Sequence, residues 1–279
     1  MSAGLPPPPV PSTVAADRPP LLPVLVRFWV DVLIASGLLV TLNIACFVLW
    51  SAVRGFSHVQ AAKARGLTPS SPEIMAAIGH PAVLVQLLTA LVSTATPALL
   101  LYYWRRRASA AEQTASRIAA SRASTWCCTA LIAAAVFLLS NLVSMLASAL
   151  GIKPVPTNLV LMEQALQQWP LSLTLFAVVI APAYEELLFR RVLCGRLLSA
   201  GRPWLGIVLS GAIFALVHEV PGISGNGPVA IAQLWLVYGT MGAAFAWLYW
   251  RTGTLWASIA AHGINNATAL AALYFFGLG

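Results

Sequence analysis

Apolar residues run along this chain in long blocks, without the alternation of a half-buried strand or the narrow stripe of a soluble surface helix. Seven blocks, 28–52, 81–104, 126–150, 170–199, 203–219, 228–250 and 254–277, approach or exceed the roughly 20 residues a helix needs to cross a bilayer core. Between them lie short breaks carrying Gly, Pro or Arg. The pattern predicts an all-α fold, a polytopic membrane helix bundle with about seven transmembrane helices. Ahead of it, residues 1–23 carry Pro6, Pro7, Pro8, Pro9, Pro11, Pro19, Pro20 and Pro23. Prolines remove backbone donors and oppose helix formation, so this segment is expected to be a disordered tail. It lacks the basic start, short apolar core and small-residue cleavage site of a signal peptide; the first spanning helix is expected to serve as an uncleaved insertion signal. The remainder divides into 24–124, two membrane helices and a basic loop, and 125–279, a second membrane unit.

Composition agrees with the pattern. Hydrophobic residues make up 59% of the chain and charged residues 9%, with a mean hydropathy of +0.82, which excludes a water-soluble globule of this length. The formal net charge of +8 is mostly a topology signal. Arg105, Arg106, Arg107, Arg117 and Arg122 crowd between the second and third blocks, and basic loops resist translocation. Alternation then places Arg18, Arg27, Arg191, Arg196, Arg202 and Arg251 on the same side, against Arg54, Lys63, Arg65 and Lys153 opposite. This predicts a multi-pass protein of the inner (plasma) membrane with a cytoplasmic N-terminus and an external C-terminus. The lipid bilayer is therefore a partner, and the basic side would attract anionic headgroups. A nucleic-acid partner would need a basic face on a soluble fold and is excluded. Cys46, Cys127, Cys128 and Cys194 fall in or beside apolar blocks without metal-ligand spacing, and are expected to be buried small apolar residues.

The chain has only eight acidic residues, yet Glu185 and Glu186 stand side by side inside an apolar block. A carboxylate at membrane depth costs at least about 2.5–3.5 kcal/mol, so the pair must be compensated or used. Glu186 and Arg190 are four apart and share a helix face, while Glu185 projects about 100° away. One acid is then neutralised and the other free; a purely structural ion pair locking two helices is the alternative. His218 lies near the C-terminal end of the block 203–219, four residues after Phe214. If Gly201 to Pro203 is a hairpin turn, Glu185 and His218 lie at one level, roughly 25 Å from it. His262 and Asn266, four apart in the last block, approach the same depth from a turn near Gly253. Four polar groups from three helices converge. A desolvated Glu beside a His can deprotonate a water, and a second His with an amide can donate to the oxyanion formed when that water adds to a carbonyl. Ser210 is no nucleophile for this site, lying two turns from His218. The stretch Pro221 to Pro228, just after His218, is either a gate or an ordinary Gly/Pro connector.

At these residues the chain resembles the CPBP family, the type II CAAX prenyl proteases and bacteriocin-processing enzymes also called Abi proteins. The family pattern is E-E-x-x-x-R, F-x-x-x-H and H-x-x-x-N/D in successive membrane helices, met here by Glu185, Glu186 and Arg190, by Phe214 and His218, and by His262 and Asn266. The resemblance covers roughly 125–277. It implies an intramembrane glutamic endopeptidase that acts on a membrane-associated protein or peptide. Glu185 and His218 would activate water, and His262 and Asn266 would form the oxyanion hole. Glu186 and Arg190, with Phe214, would support the site, and Arg190 could also hold a substrate carboxylate. No cofactor is expected. Zinc on two His and a Glu is the minority alternative, disfavoured because H-E-x-x-H is absent and Asn is a poor zinc ligand. The competing classes are a non-catalytic immunity or scaffold protein of the same fold and a small proton-coupled transporter, although no internal repeat is visible.

Overall fold

The computed structural model of the chain describes residues 18–276. They form ten helices and, among the described residues, no strand: α1 Leu21–Lys63, α2 Ser71–Ile78, α3 Val83–Arg105, α4 Ala110–Ala120, α5 Ala123–Ala149, α6 Leu159–Gln168, α7 Pro170–Ser199, α8 Pro203–His218, α9 Pro228–Thr252 and α10 Leu255–Phe276. Each of the seven apolar blocks is helical over most of its described residues. Helices α1, α3, α5, α7 and α9 are long and apolar enough to cross a membrane; α8 is apolar but shorter, and α10 carries His262, Asn265 and Asn266 near its middle. The protein is a multi-pass membrane helix bundle. Three short helices lie in what the hydropathy pattern leaves as loops. Two of them, α2 and α4, start at capping boxes, Ser70 with Glu73 and Ser109 with Glu112.

The first helix departs from its expected bounds at both ends. It begins at Leu21, so residues 21–23 of the expected tail are helical; Pro23 sits in the first turn, where a backbone N–H has no partner to lose. The rest of the tail, residues 1–17, lies outside the described residues. At its other end α1 continues past residue 52 to Lys63, 43 residues in all, or about 65 Å against a core of about 30 Å. Near its C-terminal end α2 folds back on it, with Ile74 and Ile78 closing over Gly55. Of the cysteines, Cys194 is buried but Cys127 is exposed on α5, and none is paired.

The arginine-rich loop does not simply face water. Asp31 on α1 is fully buried and takes Arg105 from the end of α3 together with Arg196 near the end of α7, whose Nε lies 2.7 Å from it. Arg106 donates to the Gly195 carbonyl at 2.9 Å. Arg191 forks onto Glu112 of α4 at 2.8 and 2.9 Å, and that guanidinium, with the Ser109 backbone, holds the Glu112 carboxyl down to about 2. The bridge is therefore charged throughout the physiological range. These contacts tie α1, α3 and α4 to the helix that carries both central glutamates.

Two turns place the site. Gly201 and Gly253 adopt φ of 70° and 72°, the left-handed conformation that ends α7 and α9 and reverses the chain. Between α8 and α9 the contact is close because Gly211 has no side chain; a Cβ there would lie 2.7 Å from the Gly239 carbonyl. That approach lets aromatic side chains of α9 reach the histidines of α8 and α10.

Candidate active site

Helix α7 is not α-helical throughout. Phe176–Ile180 and Leu187–Cys194 have π geometry, and the two glutamates lie in the α-helical turn between them. The first distortion follows from Pro182, which has no N–H to give. The Ala181 N–H bonds five residues back to the Phe176 carbonyl. The Ala177 carbonyl then has neither Ala181 nor Pro182 as a helical donor, and the Asn266 amide takes it at 2.8 Å. One residue on, the Val178 carbonyl faces Gly263, where a Cβ would lie only 2.6 Å away. Pro182, Gly263 and Asn266 thus fit α10 against the distorted turn of α7. Replacing Gly263 by Ala should force the helices apart and cost about 1–3 kcal/mol, read as a lower unfolding midpoint in detergent; an unchanged midpoint would show that α10 yields freely here.

Glu186 is completely buried and held in an ion pair. Its carboxylate lies 2.8 Å from Arg190 Nε and accepts from Arg190 Nη2 at 3.1 Å. His262 Nδ1 lies 3.0 Å from Oε1, so this nitrogen carries the proton it donates to the carboxylate. Arg190 is equally buried. It donates to the Ser210 hydroxyl at 3.1 Å and lies over the rings of Phe189, Phe214 and Phe245. The enclosed guanidinium has no open face for a substrate carboxylate, contrary to that expectation. Ser210, fully buried, passes its own proton to the Phe189 carbonyl at 3.0 Å and serves the ion pair.

Glu185 points elsewhere. Its Oε2 lies 3.9 Å from His218 Nε2 and 3.8 Å from His262 Nε2, and 20% of its side chain remains accessible, with 23% of His218 and 3% of His262. His218 donates from Nδ1 to the Phe214 carbonyl at 2.8 Å, which leaves Nε2 with a lone pair toward Glu185. Phe214 stacks on that ring at 4.1 Å, Tyr238 approaches it at 5.0 Å, and Phe245 stacks on His262 at 5.3 Å. Glu185, His218 and His262 therefore meet around one small gap, while the contact shown for Asn266 is with the Ala177 carbonyl. A cavity of about 470 Å³ between α1, α3 and α6 has Thr94 and Val217, the neighbour of His218, in its wall.

Besides Asp31, hydropathy and spacing passed over an acid beside the site. Glu219, directly after His218, is fully buried and accepts from Thr157 at 2.8 Å, from Asn226 at 3.0 Å and from Ser224. Asn226 also pairs both ways with the Val155 backbone, and Trp235 donates to the Glu219 carbonyl at 2.8 Å. The stretch considered as gate or connector is thus tied down beside His218. An acid adjoining a candidate histidine, in a chain with so few acids, was the available signal.

Residues 167–268 match the family model described as type II CAAX prenyl endopeptidase, Rce1-like. It is this stretch, little more than a third of the chain, that is similar to the family. The match contains Glu185, Glu186, Arg190, Phe214, His218, His262 and Asn266, and it is narrower than the stretch over which the motifs suggested a resemblance, leaving α5 outside. A similarity of 32% identity over 101 residues links the chain to the Bacillus subtilis (strain 168) protein described as "Putative membrane peptidase YdiL". It spans 36% of this chain and 36% of that relative. No solved structure matches the chain.

Proposed function

We propose that this protein is an intramembrane endopeptidase that hydrolyses peptide bonds of a membrane-associated protein or peptide with a water activated by Glu185 and His218. The observation that carries this reading is the pair of 3.8 and 3.9 Å gaps from Glu185 to the two histidines, with both Nδ1 atoms already committed to Glu186 and to Phe214. A water in the gap would direct its protons to Glu185 Oε2 and His218 Nε2 and keep a lone pair for the scissile carbonyl. Glu185 takes one proton as the oxygen bonds to carbon. The oxyanion is held by His262 Nε2–H, with the ring doubly protonated over Glu186, and by the remaining amide N–H of Asn266. Glu185 then returns its proton to the leaving amine as the C–N bond breaks. A peptide would approach along the cavity between α1, α3 and α6. The distribution of arginines supports placing the N-terminus in the cytoplasm.

Zinc fits the same donors less well. Bonds of about 2.05 Å to two atoms 3.8 or 3.9 Å apart need an angle of roughly 135–145°, far from tetrahedral, whereas hydrogen bonds of about 2.8 Å to a shared water need roughly 85–90°. Purified protein should keep its activity through prolonged chelation and contain well under one metal per chain by elemental analysis. Stoichiometric zinc that disappears with activity in a His218→Ala variant would overturn the water-activation scheme.

The role given to Asn266 makes a graded prediction. Loss of one oxyanion donor typically lowers the chemical step about 10²–10³-fold. Asn266→Ala should therefore lower kcat far more than it raises KM. A collapse of binding with normal turnover of bound peptide would make Asn266 a positioning residue that acts through Ala177.

A further inference from the structure

At the arginine-rich end of the bundle, away from the glutamates, a cavity of about 180 Å³ lies between the start of α1 and the ends of α3 and α7. Three of its walls are arginines, Arg27, Arg106 and Arg196. The carboxylate nearest in sequence to Arg27, Asp31, is completely buried and already shared between Arg105 and Arg196, so it offsets the charge of Arg196 and leaves Arg27 and Arg106 unmatched by it. Arg27 makes no ion pair or side-chain hydrogen bond among the described residues. Arg106 uses Nη2 on the Gly195 carbonyl, while its Nε is buried without a hydrogen-bond partner among the described residues. A buried donor left unmet costs about 1–3 kcal/mol, more when charged, and native structures rarely leave one without a reason. Burial, and then the like charges of Arg191 and Arg196, press the Arg106 guanidinium below its ordinary range, a repulsion that an anion would relieve.

We propose that this pocket binds a phosphate group. Arg27, the unmet Nε of Arg106 and whatever Arg196 keeps free of Asp31 line one pocket, and donors from three elements suit a tetrahedral anion with several oxygens better than a planar carboxylate with two. The volume corresponds to about six waters, enough for a phosphate and too small for a drug-sized molecule. Such a group has two sources at a membrane surface, an anionic phospholipid headgroup or a free phosphate in solution. Whichever supplies it, the anion bridges α1 and α3 to Arg196, six residues beyond Arg190, and so braces the end of the helix that bears Glu185.

The test is equilibrium binding of short-chain phosphatidic acid to the full-length protein in neutral detergent, followed by native mass spectrometry. Wild-type protein should take up one saturable equivalent. Arg27→Gln and Arg106→Gln should each weaken it at least about 10-fold, as loss of a charge-assisted hydrogen bond does. The double variant Arg117→Gln/Arg122→Gln removes two charges from the same end but outside the pocket, and should change it less than about 2-fold. Displacement by millimolar inorganic phosphate would assign the site to free phosphate; resistance to displacement would assign it to lipid. If Arg106→Gln fails to fold without its bond to Gly195, Arg27→Gln decides alone, because Arg27 is exposed. No saturable uptake, or equal losses in the pocket and control variants, would reduce the pocket to general basicity and overturn the proposal.

Discussion

Replacing Glu185 by Gln is expected to abolish peptide cleavage while leaving the fold intact. Gln preserves the size of the side chain but cannot take a proton from water, and loss of a general base lowers rates about 10²–10⁴-fold. Stability should be unaffected, because the nearest histidine nitrogens lie 3.8 and 3.9 Å from Oε2, too far for a direct hydrogen bond, and a fifth of the side chain is already accessible. The measurement pairs turnover of a peptide that the wild-type protein cleaves in proteoliposomes with thermal unfolding of both proteins. Wild-type turnover by the well-folded Gln variant would remove Glu185 from the chemistry. An unfolded variant would show instead that the gap is part of the scaffold.

The neighbouring residue predicts the opposite division. Arg190→Leu should destabilise the protein by about 3–5 kcal/mol, because it breaks the fully buried ion pair, leaving Glu186 with His262 alone, and takes the donor from Ser210. The double variant Glu186→Gln/Arg190→Leu removes both charges and should recover much of that loss, since a buried pair is often matched by uncharged residues of similar volume. Unfolding in detergent at matched lipid content checks both. A single variant that loses less than about 1 kcal/mol would mean that water reaches Glu186 and that the ion pair is not sealed in the folded protein.

Glu185 and Glu186 are adjacent in sequence and yet have separate surroundings, and the hydropathy pattern alone could suggest only half of this. The i,i+4 relation put Arg190 on the side of Glu186, and the pair meets at 2.8 Å. What the sequence did not disclose was a third partner, His262, which arrives from 76 residues away. An α-helical projection also assumes a uniform 100° step, and α7 departs from it on both sides of the glutamates. Pro182 was a visible sign of the departure. Which helix would meet the freed Ala177 carbonyl depended on the packing of α10.

Chain connectivity and local physics determined which blocks are helical, because each apolar block must satisfy its backbone within itself in a solvent that offers no hydrogen bonds. They also determined the turns at Gly201 and Gly253, where positive φ favours glycine, and the shared depth of Glu185 and His218, since equal lengths of helix run from one turn. Tertiary structure decided what no periodicity encodes. It sealed Arg190 among three aromatic rings, engaged Asn266 with Ala177, tied Glu219 to Thr157 and Asn226, and folded Arg105 and Arg196 onto Asp31. Most of those contacts join groups from separate elements, and they form only where two backbones approach closely enough, as they do where Gly263 passes Val178. A polar side chain in an apolar block announces that it needs a partner. Which partner it finds is settled by packing, because in the low dielectric of the bundle a charge or amide left without one is costly enough to select among arrangements of the same helices.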